Sequence, residues 1–296
     1  MKKFLILIPL YNDWKSCSRL INEIDSLVNN WNADVSIIIS NDASTEKRSG
    51  LASNYKKIKS IKILNIKENN GGSARPIAVG LKYINKNEDF DWVIVMDADG
   101  EDRPEELNDF FNKAQQNPDF TITGNRFKRS EGVIFKISYQ IHKILTLIFT
   151  GKLIKFGNFT CLPKKHVDQL IQKPYLWNTY SSSVFKTITN RLSISAIRGT
   201  RYVLPSKMNF KTLVFHSLTI ISVFKKEVIL RSIVLFVAYF LLIFNNISIL
   251  TILPFFFLLI FLFAILKVSK RTNSIELDKS LENIGNIDIL DSSNSR

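Results

Sequence analysis

The chain has 296 residues, 46% hydrophobic and 22% charged, and its 11 Gly and 8 Pro exclude a disordered, collagen-like or low-complexity polymer. Against 26 Asp and Glu stand 40 Lys and Arg, a formal charge of +14 that calls for an anionic partner: nucleic acid, a membrane surface or an acidic substrate. Two cysteines, Cys17 and Cys161, are too few and too far apart for a disulfide framework or a cysteine zinc site, so a reducing compartment is the default.

Met1-Lys2-Lys3 precedes an apolar run, Phe4 to Leu10, that could pass for a secretory leader. It is short, contains Pro9 and leads into Tyr11-Asn12-Asp13-Trp14 with no small-residue cleavage site, so it reads as a buried first strand, Phe4 to Ile8, ending at a Pro-containing turn. Further strands are expected at Val35 to Ser40, Ile61 to Asn65, Trp92 to Met96 and Phe120 to Thr123. Between the first two, Leu20, Ile24, Leu27 and Val28 recur at helical spacing within Ser16 to Trp31. Strand and helix in alternation predict an α/β fold with a mostly parallel sheet, in which loops at the carboxyl ends of the strands hold the ligand.

Four such loops are polar. Pro9-Leu10-Tyr11-Asn12-Asp13 follows the first strand, Asn41-Asp42-Ala43-Ser44-Thr45-Glu46 the second and Asn69-Asn70-Gly71-Gly72-Ser73-Ala74-Arg75 the third. The fourth strand delivers Asp97-Ala98-Asp99-Gly100, a carboxylate pair at i and i+2 that suits a Mg²⁺ or Mn²⁺ ion held against a diphosphate. Asp-x-Asp also occurs in turns that start helices, and Asp102-Arg103-Pro104-Glu105-Glu106 looks like such a start. Together, in order and spacing, the four loops resemble those of the family 2 glycosyltransferases of the GT-A, Rossmann-like fold. The resemblance implies that Pro9, Tyr11 and Asp13 line the base pocket of a nucleotide-sugar and that Asp42 hydrogen-bonds the base. Asn70 and Gly72 match the third donor loop, and Arg75 would assist the leaving diphosphate, unless it is simply a solvated surface arginine. Asp97 would face ribose and metal and Asp99 would ligate the metal, making these two the catalytic pair. Asn41 and Ala43 stand where Asp and Gly are usual, which leaves the base open.

From residue 120 to residue 231 there are 19 Lys or Arg and three acids, a net of +16. Within this region Ile134, Ile137, Ile141, Leu145 and Ile148 form a helical stripe that suits either an interfacial membrane helix or packing on the chain's own domain. Gly124-Asn125-Arg126, Gly157-Asn158-Phe159 and Arg201-Tyr202-Val203-Leu204-Pro205-Ser206-Lys207-Met208 resemble the polyprenyl-phosphate branch of the family, the dolichol-phosphate mannosyltransferase and bactoprenol glucosyltransferase type. By that resemblance Arg126, Asn158, Arg201, Ser206 and Lys207 would bind the acceptor phosphate. Leu204 and Met208 replace the usual Gly and Tyr, and Lys155 stands where Asp is frequent. A second amphipathic stretch runs from Phe210 to Phe224.

No charged residue occurs in the 35 positions from Ser232 to Leu266. As one helix at about 1.5 Å per residue this would far exceed a hydrocarbon core of about 30 Å. Asn245 and Asn246 divide it into Val228 to Phe244 and Ile247 to Leu266, so a two-helix transmembrane hairpin is expected. Lys225, Lys226 and Arg231 before it and Lys267, Lys270 and Arg271 after it put both flanks in the cytoplasm, giving a multi-pass protein of the inner (cytoplasmic) membrane with a cytoplasmic catalytic domain.

The expected organisation is therefore a GT-A catalytic domain over 1–207, with a nucleotide-sugar half (1–125) and an acceptor half (126–207). A juxtamembrane amphipathic helix (208–227), the hairpin (228–268) and a disordered cytoplasmic tail (269–296) would follow. The expected activity is inverting, metal-dependent transfer of a hexose from a UDP- or GDP-sugar to a polyprenyl phosphate. The alternatives are a family 2 enzyme acting on a saccharide or lipid-linked oligosaccharide in surface-polysaccharide synthesis, and an inactive membrane-bound scaffold. Nucleic acid is excluded for want of a readable motif, self-association is left open, and His142, His166 and His216 are bystanders without zinc-ligand spacing.

Overall fold

Strand β1 (Lys2–Leu10) arises from the first apolar run, and its alternate side chains enter two different cores. Phe4, Ile6 and Ile8 join Trp14, Leu20 and Ile24 on one face, while Leu5 and Leu7 join Ile77, Leu81 and Leu162 on the other. A strand covered on both faces has no polar side to present, which explains the unbroken apolar run. The computed structural model describes residues 1–52, 55–69, 71–128, 133–203 and 210–291, without the side chains of 126–128, 133–136, 139 and 291.

After β1 the chain forms α1 (Trp14–Leu27), β2 (Ala33–Asn41), β3 (Ile58–Ile66), α2 (Ala74–Asn87), β4 (Trp92–Val95), α3 (Leu107–Gln116) and β5 (Thr121–Lys128). It continues through α4 (Val133–Thr150), β6 (Phe156–Pro163), α5 (Lys164–Leu170), α6 (Tyr180–Thr187), β7 (Arg191–Ile197) and α7 (Phe210–Ser222). The last elements are α8 (Lys225–Ile243), α9 (Ile249–Ser269), α10 (Ser274–Asp278) and β8 (Ile284–Asp291). Among the described residues the strands form one sheet in the order β7-β5-β6-β4-β1-β2-β3-β8. Because β1 pairs parallel with both β2 and β4, and β2 with β3, the carboxyl ends of β1 to β4 open at one edge. β6 runs antiparallel to β4 and β5, and β5 pairs parallel with β7. The close approach of α2 to β1 depends on Gly80, where a Cβ would overlap the Leu7 side chain.

The polar, acidic composition after Arg271 predicts a disordered tail over 269–296, and the structure corrects this. Ser274–Asp278 is helical and Ile284–Asp291 pairs antiparallel with β3, Ile287 opposite Leu64 and Leu290 opposite Ile61. Leu277 is buried in the core shared by Ile77 and Trp177. Asp288 in this segment finds partners, accepting from Arg48 at 2.9 Å and from Asn65 at 3.2 Å. Interspersed Ile and Leu supply the burial, and these partners supply the counter-charges, neither of which local composition reveals.

The chain divides into two compact units, one of residues 1–130, 155–206 and 274–296 and one of 131–154 and 207–273. The expected boundaries therefore shift, since 131–154 leaves the first 207 residues and the C-terminal segment rejoins them. The second unit consists of α4, α7, α8 and α9. α9 folds back on α8, with Phe236 and Phe255 ring centroids 4.2 Å apart and the Tyr239 hydroxyl donating to the Thr251 carbonyl at 3.1 Å. Ser248 and Thr251 form a reciprocal capping box at the start of α9. Arg231 reaches the Ile148 carbonyl at 3.4 Å, a cation at the negative end of α4.

Only one helix among the described residues, beginning at Ile249, is long and apolar enough to cross a membrane. The expected two-span, multi-pass topology is not supported by this. Lys225, Lys226, Glu227 and Arg231 occupy the start of α8, leaving Ser232–Ile243 as its uncharged part, about 18 Å of helix against a core of about 30 Å. On α4, Ile137, Ile141, Ile144, Leu147 and Ile148 are exposed, whereas Leu145 packs inward with Phe149. The exposed stripe thus includes Ile144 and excludes Leu145.

Candidate active site

The four polar loops meet at the carboxyl edge of the parallel strands. After β1, Asn12 takes a left-handed conformation (φ 50°), which its own side chain secures by accepting from the backbone N–H groups of Thr45 (2.7 Å) and Glu46 (3.1 Å). The Asn12 N–H in turn donates to the Ser44 hydroxyl at 2.9 Å, so the first and second loops are tied together. The buried Asp42 extends the ladder by donating its N–H to the Leu10 carbonyl at 2.8 Å. Asn41 donates through Nδ2 to Asn65 Oδ1 at 2.9 Å, a role that an aspartate at this position could not fill. From the third loop, Asn69 donates to the Asp42 carbonyl at 3.1 Å and accepts from the Gly71 N–H at 2.9 Å.

The fourth loop is the most constrained. Asp102 Oδ2 accepts the Asp97 N–H at 3.0 Å, and Asp99 Oδ1 accepts the Glu101 N–H at 2.9 Å. Asn158, on β6, donates to Asp97 Oδ1 at 2.9 Å and to the Ser73 hydroxyl at 3.0 Å, linking the third and fourth loops. The segment after β7 closes over the acids: Tyr202 N–H donates to the Asp99 carbonyl and Gly199 N–H to the Glu101 carbonyl, both at 2.9 Å, while Arg198 pairs with the Glu101 carboxylate. Arg201 reaches Asp99 Oδ2 at 2.6 Å, Asp13 Oδ2 at 3.4 Å and Glu101 Oε1 at 4.0 Å, with all four side chains largely buried. Gly100 (φ 82°) lies under the Tyr202 ring, where a Cβ would collide.

Residues 5–168 match the family described as glycosyl transferase family 2. The chain belongs to that family. Among its relatives, an uncharacterised glycosyltransferase of Synechocystis sp. is 25% identical over 57% of this chain and 52% of its own length. Undecaprenyl-phosphate 4-deoxy-4-formamido-L-arabinose transferases of Salmonella choleraesuis and Photorhabdus laumondii are 26% and 22% identical, over 58% and 72% of this chain and 50% and 65% of their own. The chain thus spans about half the length of the first curated relatives it matches. Among solved structures, mannosyl-3-phosphoglycerate synthase of Rubrobacter xylanophilus aligns with TM-score 0.54 at 12% identity, covering 74% of this chain and 72% of that one. Mycobacterium tuberculosis glucosyl-3-phosphoglycerate synthase, crystallised with Mn²⁺, UDP-glucose and phosphoglyceric acid, aligns with TM-score 0.52 at 12% identity over 77% and 80%. These alignments establish the GT-A fold expected for a family 2 glycosyltransferase.

Within this family 2 site, burial pushes the Asp99 carboxyl up to about 6; the Glu101 charge adds to the rise, and the Glu101 N–H and Arg201 offset it only in part. Among the described residues no group of three His, Cys, Asp or Glu surrounds a metal position. The donor set is nonetheless all hard oxygen, as Mg²⁺ or Mn²⁺ requires, and the burial and the Glu101 charge that disfavour the Asp99 carboxylate are what a bound cation would offset.

Of the residues singled out in the sequence, Asp13, Asp99 and Arg201 are brought into one cluster and Asp97 is joined to Asn158. Asn158 and Arg201, which the resemblance gives to the acceptor phosphate, touch Asp97 and Asp99. Pro9 is the penultimate residue of β1, Tyr11 is exposed just after the strand, and Gly72 (φ 92°) precedes Ser73. Arg75 lies in the first turn of α2 and pairs elsewhere, with Glu276 at 3.2 Å and against the Trp177 ring at 4.9 Å. Asn70, Ser206, Lys207 and the Arg126 side chain lie outside the described residues. Sequence reasoning missed Asn12, Ser73, Glu101, Asp102 and Arg198. Asn12 and Ser73 stood inside quoted loops and carried a turn signal, whereas the partners of Glu101 and Arg198 are set only by the fold. His166 shares a buried hydrogen bond with Thr121 at 2.8 Å, as befits a bystander.

Proposed function

We propose that this family 2 glycosyltransferase transfers a sugar from a nucleotide-sugar to a polyprenyl phosphate at the cytoplasmic face of a membrane. The observation that carries the reading is the partly buried Asp97–Asp99 pair at the carboxyl end of β4, where the other three parallel-strand loops converge. Asp97 and Asp99 would hold a Mg²⁺ or Mn²⁺ ion, which when bound offsets the charge on the departing diphosphate. Asp13 and Asp42 sit on the two loops that would enclose the base, and Asn158 keeps Asp97 oriented.

In the reaction an oxygen of the acceptor phosphate attacks the anomeric carbon on the face opposite the diphosphate. A new carbon–oxygen bond forms, the bond to the diphosphate breaks, and the nucleoside diphosphate leaves with the bonding electrons, so configuration inverts. A phosphate oxygen is already anionic at neutral pH and needs no strong base, in contrast to a sugar hydroxyl. Positioning and charge neutralisation remain as the enzyme's tasks. Arg201 would serve the second, together with Arg126 and Lys207.

The lipid acceptor draws support from the names of the undecaprenyl-phosphate relatives and from the exposed apolar side chains of the second unit. Ile249 is 88% exposed, and Leu242 and Leu250 are 80% exposed, a surface suited to hydrocarbon rather than water. The test is incubation of the purified chain and Mn²⁺ with radiolabelled UDP-glucose, UDP-GlcNAc or GDP-mannose, with and without undecaprenyl phosphate. Label should enter the organic phase only when that lipid is present. Label entering only an oligosaccharide acceptor would overturn the lipid reading, and no transfer from any donor would overturn the activity.

A further inference from the structure

Glu276 lies far from the acidic cluster in sequence and belongs to the segment after the long apolar helix. Its carboxylate Oε2 accepts the Trp177 indole N–H at 2.6 Å and stands 3.2 Å from Arg75 Nη2. The Arg75 guanidinium in turn lies over the Trp177 ring at 4.9 Å. Arginine, indole and carboxylate therefore hold one another in a closed triangle, with charge-assisted, cation–π and hydrogen-bond sides. The triangle is anchored from below. Leu277 is 1% exposed in the core beside Trp177, and Lys82 on α2 donates to the Leu277 and Asp278 carbonyls at 2.7 and 3.2 Å. α10 is thus fastened to the helix that carries Arg75.

The place of Arg75 gives this fastening its meaning. It stands two residues after Ser73, whose hydroxyl accepts from Asn158, and Asn158 also donates to Asp97. The first turn of α2 is therefore continuous with the carboxylate end of the crevice. A flexible arginine must be ordered before it can meet a diphosphate, and a side chain already fixed by a partner loses less freedom on binding. The fixed carboxylate of Glu276 supplies that ordering.

We propose that Glu276 is a positioning residue of the donor site, holding Arg75 for the diphosphate of a nucleoside diphosphate. This rests on reading the strand-end crevice as a nucleotide-sugar site. Glu276→Gln is the informative variant, because the amide oxygen still accepts the Trp177 N–H while the ion pair to Arg75 is lost. The side chain of Glu276 is half exposed, so the effect is modest. With full-length chain in detergent micelles and Mn²⁺, titration calorimetry should show UDP or GDP binding weakened about two- to fivefold, in the range of exposed ion pairs. Donor KM should rise by the same factor while kcat and the melting temperature stay unchanged. In an Arg75→Ala background the Glu276→Gln change should add nothing, since the partner through which it acts is gone. Binding by Glu276→Gln equal to wild type, or a full additional loss in the Arg75→Ala background, would overturn the inference. Failure of the wild-type chain to bind either nucleotide would instead overturn the crevice reading on which it rests.

Discussion

Burial, and after it the Glu101 charge, disfavour the Asp99 carboxylate more than Arg201 favours it, and this sets two expectations. The first concerns removal of the charge. Asp99→Asn should lower sugar transfer by about 10²–10³-fold, the usual loss when one preorganised electrostatic contact at a reaction centre is removed. Its melting temperature should stay within a few degrees of wild type, because a charge that burial already disfavours is being deleted. The second concerns pH. A carboxyl pushed up to about 6 is protonated below that value, so Mn²⁺ affinity should fall as pH drops through about 6. The stability effect has the opposite sign. Between the ordinary value, 3.8, and about 6 the folded chain holds a proton that the unfolded chain has released, so this group's contribution to stability declines as pH rises through that window. Arg201→Ala, which removes the counter-charge 2.6 Å from Asp99, should tighten Mn²⁺ binding at pH 8 while depressing transfer, as calorimetry and a transfer assay would reveal.

At the scale of elements, the turn after β2 retains the backbone shape of a glycine without being one. Ala43 has φ 55°, a conformation costing an L-residue about 1–2 kcal/mol, of which part is recovered because alanine is less flexible than glycine when unfolded. Ala43→Gly should therefore stabilise the chain by about 0.5–1 kcal/mol, readable as an increased denaturation midpoint. This departure was visible in the sequence; its consequence for the backbone was not. The same division runs through the fold. β1 to β4 were legible because doubly buried parallel strands must be short apolar runs ending in polar turns. β8 was not, because Ile284 to Asp291 becomes a strand only with β3 beside it and with Arg48 and Asn65 to meet Asp288. Asp97 and Asp99 announced themselves by spacing, whereas Arg201 lies 102 positions from Asp99 and meets it only once β7 has been laid beside β5.

In sequence the long apolar helix lies between two strands of one sheet. β7 precedes that helix and β8 follows it, so both strands must lie on the same side of any bilayer, which a single crossing by that helix could not achieve. Single cysteines replacing the exposed Lys15 and Lys279 should then react with a membrane-impermeant maleimide from the same face of sealed vesicles. The native thiols do not interfere, since both are buried and burial pushes Cys17 up to about 12. Opposite-face labelling would be incompatible with the sheet. A consequence concerns the order of synthesis. Chains emerge from the amino end, so the strand that covers the β3 edge, with the acid that pairs with Arg75, is made after the apolar helices. The sheet edge remains open while the apolar helices are translated and find their surroundings. Completion of the sheet is thereby deferred until the apolar part of the chain exists, so that a chain broken off within that part leaves an unfinished sheet.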